Sequence, residues 1–354
     1  MNLDDADHRR RIDPQGMLGK IDELPDQVET AWARAGRLPL GDPSAPRHIV
    51  FCGMGGSAIG ADLACAFARS RSRASLTVWR DYDLPAWAEG ADTLVVASSH
   101  SGNTEETLSA YQLAKARGAR CLVFTSGGTL QSEATAAGDP LWPIEHPGPP
   151  RAAVGFSFAF SLGILSRLGL IEDPSDDVAR AIAAMREQSA HLKAEVPVVH
   201  NPAKRMGGQL MDRWPIFFGG GVLAPVARRW RSQVNELAKA PAEFEELPEG
   251  DHNVVTGTLG PQALIGKTMV VFLRAGLDDP RLARRAEATR QVLMVEGFNT
   301  DLIDGAGDCL LAQQWTCLHY GDYAAYYLAI AYGVDPTPIP AIENFKEILR
   351  SSEG

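Results

Sequence analysis

The sequence predicts an α/β protein of two doubly wound units, with mostly parallel sheets covered by helices on both faces. Three observations carry this. Short apolar runs recur, each closing in glycines or a Ser/Thr-rich turn and leading into a helical stretch. The scheme occurs once from His48 and again from Trp214. The run Ile49-Val-Phe-Cys-Gly53 also resembles Ile216-Phe-Phe-Gly-Gly220, as an internal duplication would leave it.

Taken in order, residues 1–15 read as a polar arm and residues 16–36 as helical, with a break at Pro25. His48–Cys52 is the first strand and ends in Gly53-Met-Gly-Gly-Ser57; Ala58–Arg69 is a helix. Leu76–Trp79 and Thr93–Ser98 are the next strands. The latter runs into Ser99-His-Ser-Gly-Asn-Thr104 and a helix to about Ala116, before a fourth strand, Arg120–Thr125. Five prolines between positions 140 and 150 mark a loop, and Ala152–Leu168 reads as a helix. The polar stretch Glu172-Asp-Pro-Ser-Asp176 is the expected boundary, dividing the chain into an arm and helix (1–36), a first unit (37–173) and a second (174–354). In the second unit Trp214–Phe218, Lys267–Arg274 and Thr300–Ile303 read as strands. Pro280–Glu296, Leu310–Tyr332 and Ile339–Arg350 read as helices, the last two separated by Pro336 and Pro338. Where the first unit has its Ser/Thr turn, the second offers Arg274-Ala-Gly-Leu-Asp-Asp-Pro280, so only the first copy keeps that loop.

Composition narrows the function classes. Hydrophobic residues make up 45% and charged residues 22% of 354, a globular balance. No apolar run approaches the roughly 20 residues that span a bilayer, and no apolar segment follows the basic N-terminal residues as in a signal peptide. The cysteines, Cys52, Cys65, Cys121, Cys309 and Cys317, are scattered, which argues against a disulfide framework or a zinc site and for a reducing, cytoplasmic location. A formal charge of -10 argues against nucleic-acid binding, while a local nest of amides can still hold a small anion.

The turn Ser99–Thr104 is the strongest chemical signal. A strand-to-helix turn presents unpaired amides backed by the positive end of the helix dipole. Ser99, Ser101 and Thr104 add hydroxyls, and Gly102 lets backbone approach a ligand. This suits one phosphate monoester. The G-x-x-x-x-G-K-[ST] pattern of a nucleotide site is absent. The plainer alternative is that Ser101 or Thr104 only caps a helix. Gly53, Gly55 and Ala58 also fit a loose dinucleotide fingerprint, but its ribose-binding acid belongs about 20 residues on, and Asp81 lies well beyond that. The turn is better read as bringing Ser57 and backbone amides to the same phosphate.

These two turns together resemble SIS (sugar isomerase) domains. The similarity extends through Asp13-Pro-Gln-Gly-Met17, Pro150-Arg151-Ala152, Asn235-Glu-Leu-Ala-Lys239, Asp251-His-Asn253, Gly321-Asp322-Tyr323 and Gly333-Val-Asp-Pro-Thr337. In these stretches the chain resembles the bifunctional phosphoglucose/phosphomannose isomerase family. The resemblance implies two SIS units, a homodimer and no metal or other cofactor. It implies a phosphate site of Gly55, Gly56, Ser57, Ser99, Ser101 and Thr104. It further implies that Glu236 is the base, that His252 assists ring opening, that Arg151 steadies the developing negative charge, and that Lys346 lies near the ring oxygen. His100 departs from the family, which usually has tyrosine there.

The implied chemistry is aldose–ketose isomerisation of hexose 6-phosphates through a cis-enediolate. One carboxylate can move the proton between C1 and C2, a fixed guanidinium can stabilise the enediolate, and a histidine titrates in the range ring opening needs. By themselves these residues have ordinary readings: Glu236 as a surface acid, His252 as a turn residue, Arg151 as a salt-bridge partner, Lys346 on a solvated helix face. His48, His146, His191, His200 and His319 lack metal-ligand spacing and read as structural. The rival functions are a non-catalytic sugar-phosphate sensor, an isomerase of another sugar phosphate and, last, an oxidoreductase.

Overall fold

The computed structural model describes residues 2–352. The N-terminal segment is not a free arm. Asp5 caps a helix, α1 (Ala6–Ile12), with its side chain, and Leu3 is buried. The helix expected over 16–36 is two, α2 (Met17–Asp22) and α3 (Leu24–Ala35). The break falls before Pro25, which sits in the first turn of α3, where its missing N–H costs nothing.

Then the alternation starts: β1 (His48–Gly53), α4 (Gly55–Ala68), β2 (Ser75–Trp79), β3 (Thr93–Ser99), α5 (Glu105–Ala116), β4 (Arg120–Thr125), α6 (Gly128–Ala137) and β5 (Leu141–Pro143). These strands form one sheet in the order β2-β1-β3-β4-β5, and every pairing is parallel. The central strand β3 is buried along its whole length, as a sheet covered on both faces requires. The proline-rich loop contains β5, an unexpected strand; Pro143 is tolerated because β5 is an edge.

Helices α7 (Val154–Arg167), α8 (Ser175–Ser189) and α9 (Pro202–Leu210) lead into a second set: β6 (Trp214–Gly220), α10 (Ala224–Leu237), β7 (Glu243–Leu247), the short α11 (Gln262–Ile265), β8 (Thr268–Arg274), α12 (Pro280–Val295) and β9 (Asn299–Asp304). The second sheet is also all parallel, in the order β7-β6-β8-β9. Each sheet thus places its second strand outside its first, and its third inside.

Helix α13 (Leu310–Tyr332) joins the two layers. All of its residues except the two at its ends are buried, as an all-round apolar helix must be. It packs on α8, α9 and α10, and α4 packs on α7 and α10. One continuous apolar core therefore includes Phe51 and Leu63 from the first set as well as Phe217 and Trp230 from the second. Two of its buried polar side chains bond backbone carbonyls: Gln314 donates to those of Leu63 and Val222, and His319 bonds that of Ile21 at 2.8 Å. The last helix, α14 (Pro340–Ser352), stands apart, with residues 341–351 all exposed. Among the described residues, no helix is long and apolar enough to cross a membrane.

Candidate active site

Because β1 and β3 are parallel neighbours, the turns at their C-terminal ends emerge side by side, where open α/β sheets place their ligands. Each turn feeds a helix N-terminus. Neither N-cap residue, Met54 for α4 or Thr104 for α5, caps with its side chain. The first-turn amides and dipole ends of two helices, 14 and 12 residues long, therefore stand uncapped in one region. This separates the two sequence readings of the loop. Thr104 occupies the cap position, but its hydroxyl bonds Ser99 Oγ at 2.9 Å instead.

The remaining hydroxyls hold the loop's shape. Ser57 Oγ accepts from the His100 amide at 3.1 Å and so ties the two turns together. Ser99 Oγ accepts from the Gly102 amide at 3.1 Å, and Ser101 Oγ from the Asn103 amide at 3.3 Å. Gly102 has φ +69°, and a Cβ there would collide with the Gly127 carbonyl, so the turn requires glycine. Ser57 and Ser99 are buried, Thr104 is half-buried and Ser101 is exposed.

A second cluster adjoins the first through Gly56. A Cβ on Gly56 would lie 2.7 Å from the Pro150 carbonyl and 2.9 Å from the Arg151 amide. Glycine there lets the 150–151 backbone press against the start of α4. Arg151 is 3% exposed. Its guanidinium donates to the carbonyls of Pro336 (2.9 Å) and Thr337 and faces Glu236 Oε2 at 3.6 Å. Arg229 fastens this arrangement from below. It forms two hydrogen bonds to the Asp322 carboxylate of α13, at 3.0 and 2.6 Å, and donates to the Arg151 carbonyl at 3.1 Å.

Glu236 stands in the last turn of α10. Lys239, with φ 54°, turns back and donates to the Glu236 and Leu237 carbonyls and to the Asp335 carbonyl at 2.7 Å. It caps the helix as a C-terminal cation should, and it ties Glu236 to the segment that holds Arg151. Desolvation and the neighbouring Arg151 push the Lys239 amine down to about 8. Burial pushes the Glu236 carboxyl up, against the pull of Arg151, Arg229 and Lys239. A half-buried carboxylate with raised proton affinity, held beside a guanidinium without a tight hydrogen bond, is equipped to take and return a proton.

Not every expected residue joins this site within one chain. Arg151 and Glu236 meet, and Ser57 is bonded to the turn that carries Ser99, Ser101 and Thr104. His252 ends a 3-10 turn (Glu249–His252) after β7 and is exposed. The turn is pinned by Asp251, which accepts from Arg285 at 2.9 Å and Thr289 at 2.6 Å. Lys346 lies on the exposed α14. His100 is half-buried with its Nε2 lacking a partner, and burial pushes its imidazole down.

Between α4 and α10 the structure leaves a cavity of about 180 Å³, floored by Gly55 and Gly56 and reached by Arg151 and Glu236. Arg80, Arg228 and Arg231 line it as well. A larger open depression of about 760 Å³ lies at the opposite ends of β1 and β2, near Arg47 and Arg73. It is remote from these turns, and the cavity with the paired Glu236 is the better candidate.

Sequence reasoning assigned no role to Arg229, Asp322 or Lys239. One signal was available: Asp322 is the sole charged residue in the otherwise uncharged run Leu310–Tyr332, and a buried charge demands a partner.

A family model, the bacterial phospho-glucose isomerase C-terminal SIS domain, matches residues 199–349. The bifunctional phosphoglucose/phosphomannose isomerase of Caldicellulosiruptor bescii is 36% identical over 94% of this chain and 98% of its own. The chain belongs to the bifunctional phosphoglucose/phosphomannose isomerase family. The enzyme of that name from Aquifex aeolicus is 33% identical, with 86% of this chain and 91% of its own covered. In fold, this family member is similar to a hypothetical protein of Thermus thermophilus, with a TM-score of 0.75 at 18% identity over 98% of this chain and 94% of that one.

Proposed function

We propose that the chain is an aldose–ketose isomerase that interconverts glucose 6-phosphate and mannose 6-phosphate with fructose 6-phosphate through a cis-enediolate. The observation that carries this reading is the Arg151–Glu236 pair at 3.6 Å, set beside two uncapped helix N-termini on the Ser/Thr side of the fold. The substrate phosphate takes the amides and hydroxyls of Gly55, Gly56, Ser57, Ser99, Ser101 and Thr104. Its binding energy, remote from the reacting carbons, holds C1 and C2 at Glu236.

Glu236 removes the proton from one carbon and returns it to the other. Arg151 faces the oxygen on which charge develops, and its charge does not change with pH. Rotation of the enediolate about C2–C3 before reprotonation admits both aldose configurations. The reading asks for no metal and no nucleotide. His252 and Lys346 are assigned to ring opening and the ring oxygen. Both are exposed in the single chain, and in this reading a homodimer brings them to the site. A cytoplasmic enzyme of sugar-phosphate metabolism fits the family's members.

The test is Glu236→Gln with fructose 6-phosphate. Loss of the base lowers kcat by about 10²- to 10⁴-fold, with KM within a few-fold. Full kcat in this variant overturns the assignment. Dilution below the dimer dissociation constant abolishes activity if His252 comes from the neighbouring copy. Full specific activity in a verified monomer overturns that part.

A further inference from the structure

The cavity beside Glu236 is lined by more arginines than the proposed isomerisation uses. Five arginines line it: Arg80, Arg151, Arg228, Arg229 and Arg231. Four have carboxylate partners. Arg151 faces Glu236 and Arg229 holds Asp322. Arg80 pairs with Asp62, which is shared with Arg228 at 3.5 Å, and Arg228 also reaches Glu246 at 3.0 Å.

Arg231 has no ion pair among the described residues. Instead its guanidinium stacks on the Phe244 ring at 5.4 Å, beside that of Arg228 at 5.1 Å on the same ring. Two like charges are thus held together on one edge of a half-buried cavity. The Nε groups of Arg151, Arg228 and Arg231 are all buried and have no acceptor among the described residues. A buried donor without a partner is unfavourable. Three such donors among the arginines of one cavity leave it short of acceptors, as a site for an anion would be.

The Ser/Thr turns already account for one phosphate with donors of their own, so this acceptor is a second group. We propose that the Arg80–Arg228–Arg231 side of the cavity is a second anion subsite, which takes a phosphate carried on the C1 oxygen of a hexose 6-phosphate. The inference rests on the sugar-phosphate reading above. With the 6-phosphate on the Ser/Thr turns and C1 at Glu236, a group on O1 reaches one bond further, toward the earlier turns of α10. Arg228 and Arg231 stand there. Guanidinium forks match phosphate oxygens in geometry and charge. Hexose 1,6-bisphosphates therefore bind in the site as competitive ligands, and the enzyme responds to the level of doubly phosphorylated sugars.

Calorimetry with fructose 1,6-bisphosphate and with sorbitol 6-phosphate, a monophosphate without a carbonyl to isomerise, tests this on the wild type and on Arg231→Gln. In the wild type the bisphosphate is expected to bind at least tenfold tighter. In the variant it is expected to weaken about tenfold, with the monophosphate unchanged within twofold. Arg231→Lys, which keeps the charge, recovers part of the bisphosphate affinity. Equal affinity for the two ligands in the wild type overturns the subsite without touching the isomerase reading, and so does a variant that weakens both alike. Binding of neither ligand overturns both.

Discussion

The two halves of the chain make the same turn and use it differently. At the end of β1, Gly55 has φ +47°, and α4 begins with uncapped amides facing open space and the hydroxyl-bearing turn of β3. At the end of β6, Gly221 has φ +54° in the same place. There the neighbouring turn after β8 supplies Asp278, whose carboxylate accepts from the Val222 amide at 2.9 Å and sits where a Gly221 side chain would go. The second half fills its own anion site with its own carboxylate. The first half has hydroxyls and glycine at that position, and no carboxylate caps its helix; in the proposed reading a ligand's phosphate takes that place. A helix N-terminus becomes a binding site only when the chain declines to satisfy it.

The largest effect is expected at the Arg229–Asp322 pair of the second half, whose arginine reaches the Arg151 carbonyl of the first. Asp322→Ala leaves Arg229 buried and charged without its partner, which costs about 3–5 kcal/mol. It also frees the Arg151 backbone, so stability to urea and kcat should fall together. A variant of wild-type stability would mean that the buried pair does not hold Arg229, and through it Arg151, in place.

Helix α13 carries a second expected effect, on pH dependence. Burial pushes the His319 imidazole from 6.5 down to about 4. Above pH 6.5 both folded and unfolded chains hold it neutral. As pH falls below that, only the unfolded chain takes the proton. Stability is therefore complete above about pH 6.5 and is lost as pH falls toward 4, by up to about 3 kcal/mol from this group. Burial shifts His100 and His146 in the same direction. Unfolding of wild type and His319→Gln at pH 7 and pH 4.5 checks this: the variant should lose less stability between the two. Parallel losses would place the acid sensitivity elsewhere.

Two substitutions exchange the turns themselves. Ser101→Asp gives the first half the acid that closes the second. Charge repulsion against a phosphate should raise KM for fructose 6-phosphate by about 100-fold, since like charges brought together cost several kcal/mol. An unchanged KM would remove the loop from the phosphate site. Asp278→Ala opens the second turn. The expected cost is about 1 kcal/mol in stability, as for a lost helix cap, with kcat/KM unchanged. A large loss of activity would show that the second turn takes part in the reaction.

Much of this was legible in the sequence because it is local. Apolar runs ending in glycine or a Ser/Thr turn marked β1, β3, β4, β6 and β8, and the hexapeptide Ser99–Thr104 marked the turn from β3 into α5. The misses were elements whose sequence serves another purpose. β5 is three residues within a proline-rich stretch. β7, Glu243-Phe-Glu-Glu-Leu247, is an edge strand whose acids hide its pattern, one of them pairing with Arg228. Residues 1–15 look like a polar arm because the residues tying them down are themselves polar: Asp4 binds the buried Lys204, and Asp13 caps the next helix. In the site, the resemblance supplied Glu236 and Arg151, but the Arg229–Asp322 clamp spans 93 positions and leaves no local mark. The surplus arginines of the cavity likewise come together only in three dimensions.

The most direct test is proton NMR of fructose 6-phosphate in heavy water with the wild type and with Glu236→Gln. Glucose 6-phosphate and mannose 6-phosphate should both appear with the wild type, carrying solvent deuterium at C2, and neither should form appreciably with the variant. Tight binding of fructose 6-phosphate without turnover in the wild type, or equal turnover in both proteins, would contradict the account: the first would make the chain a sugar-phosphate sensor, and the second would leave Glu236 a structural residue.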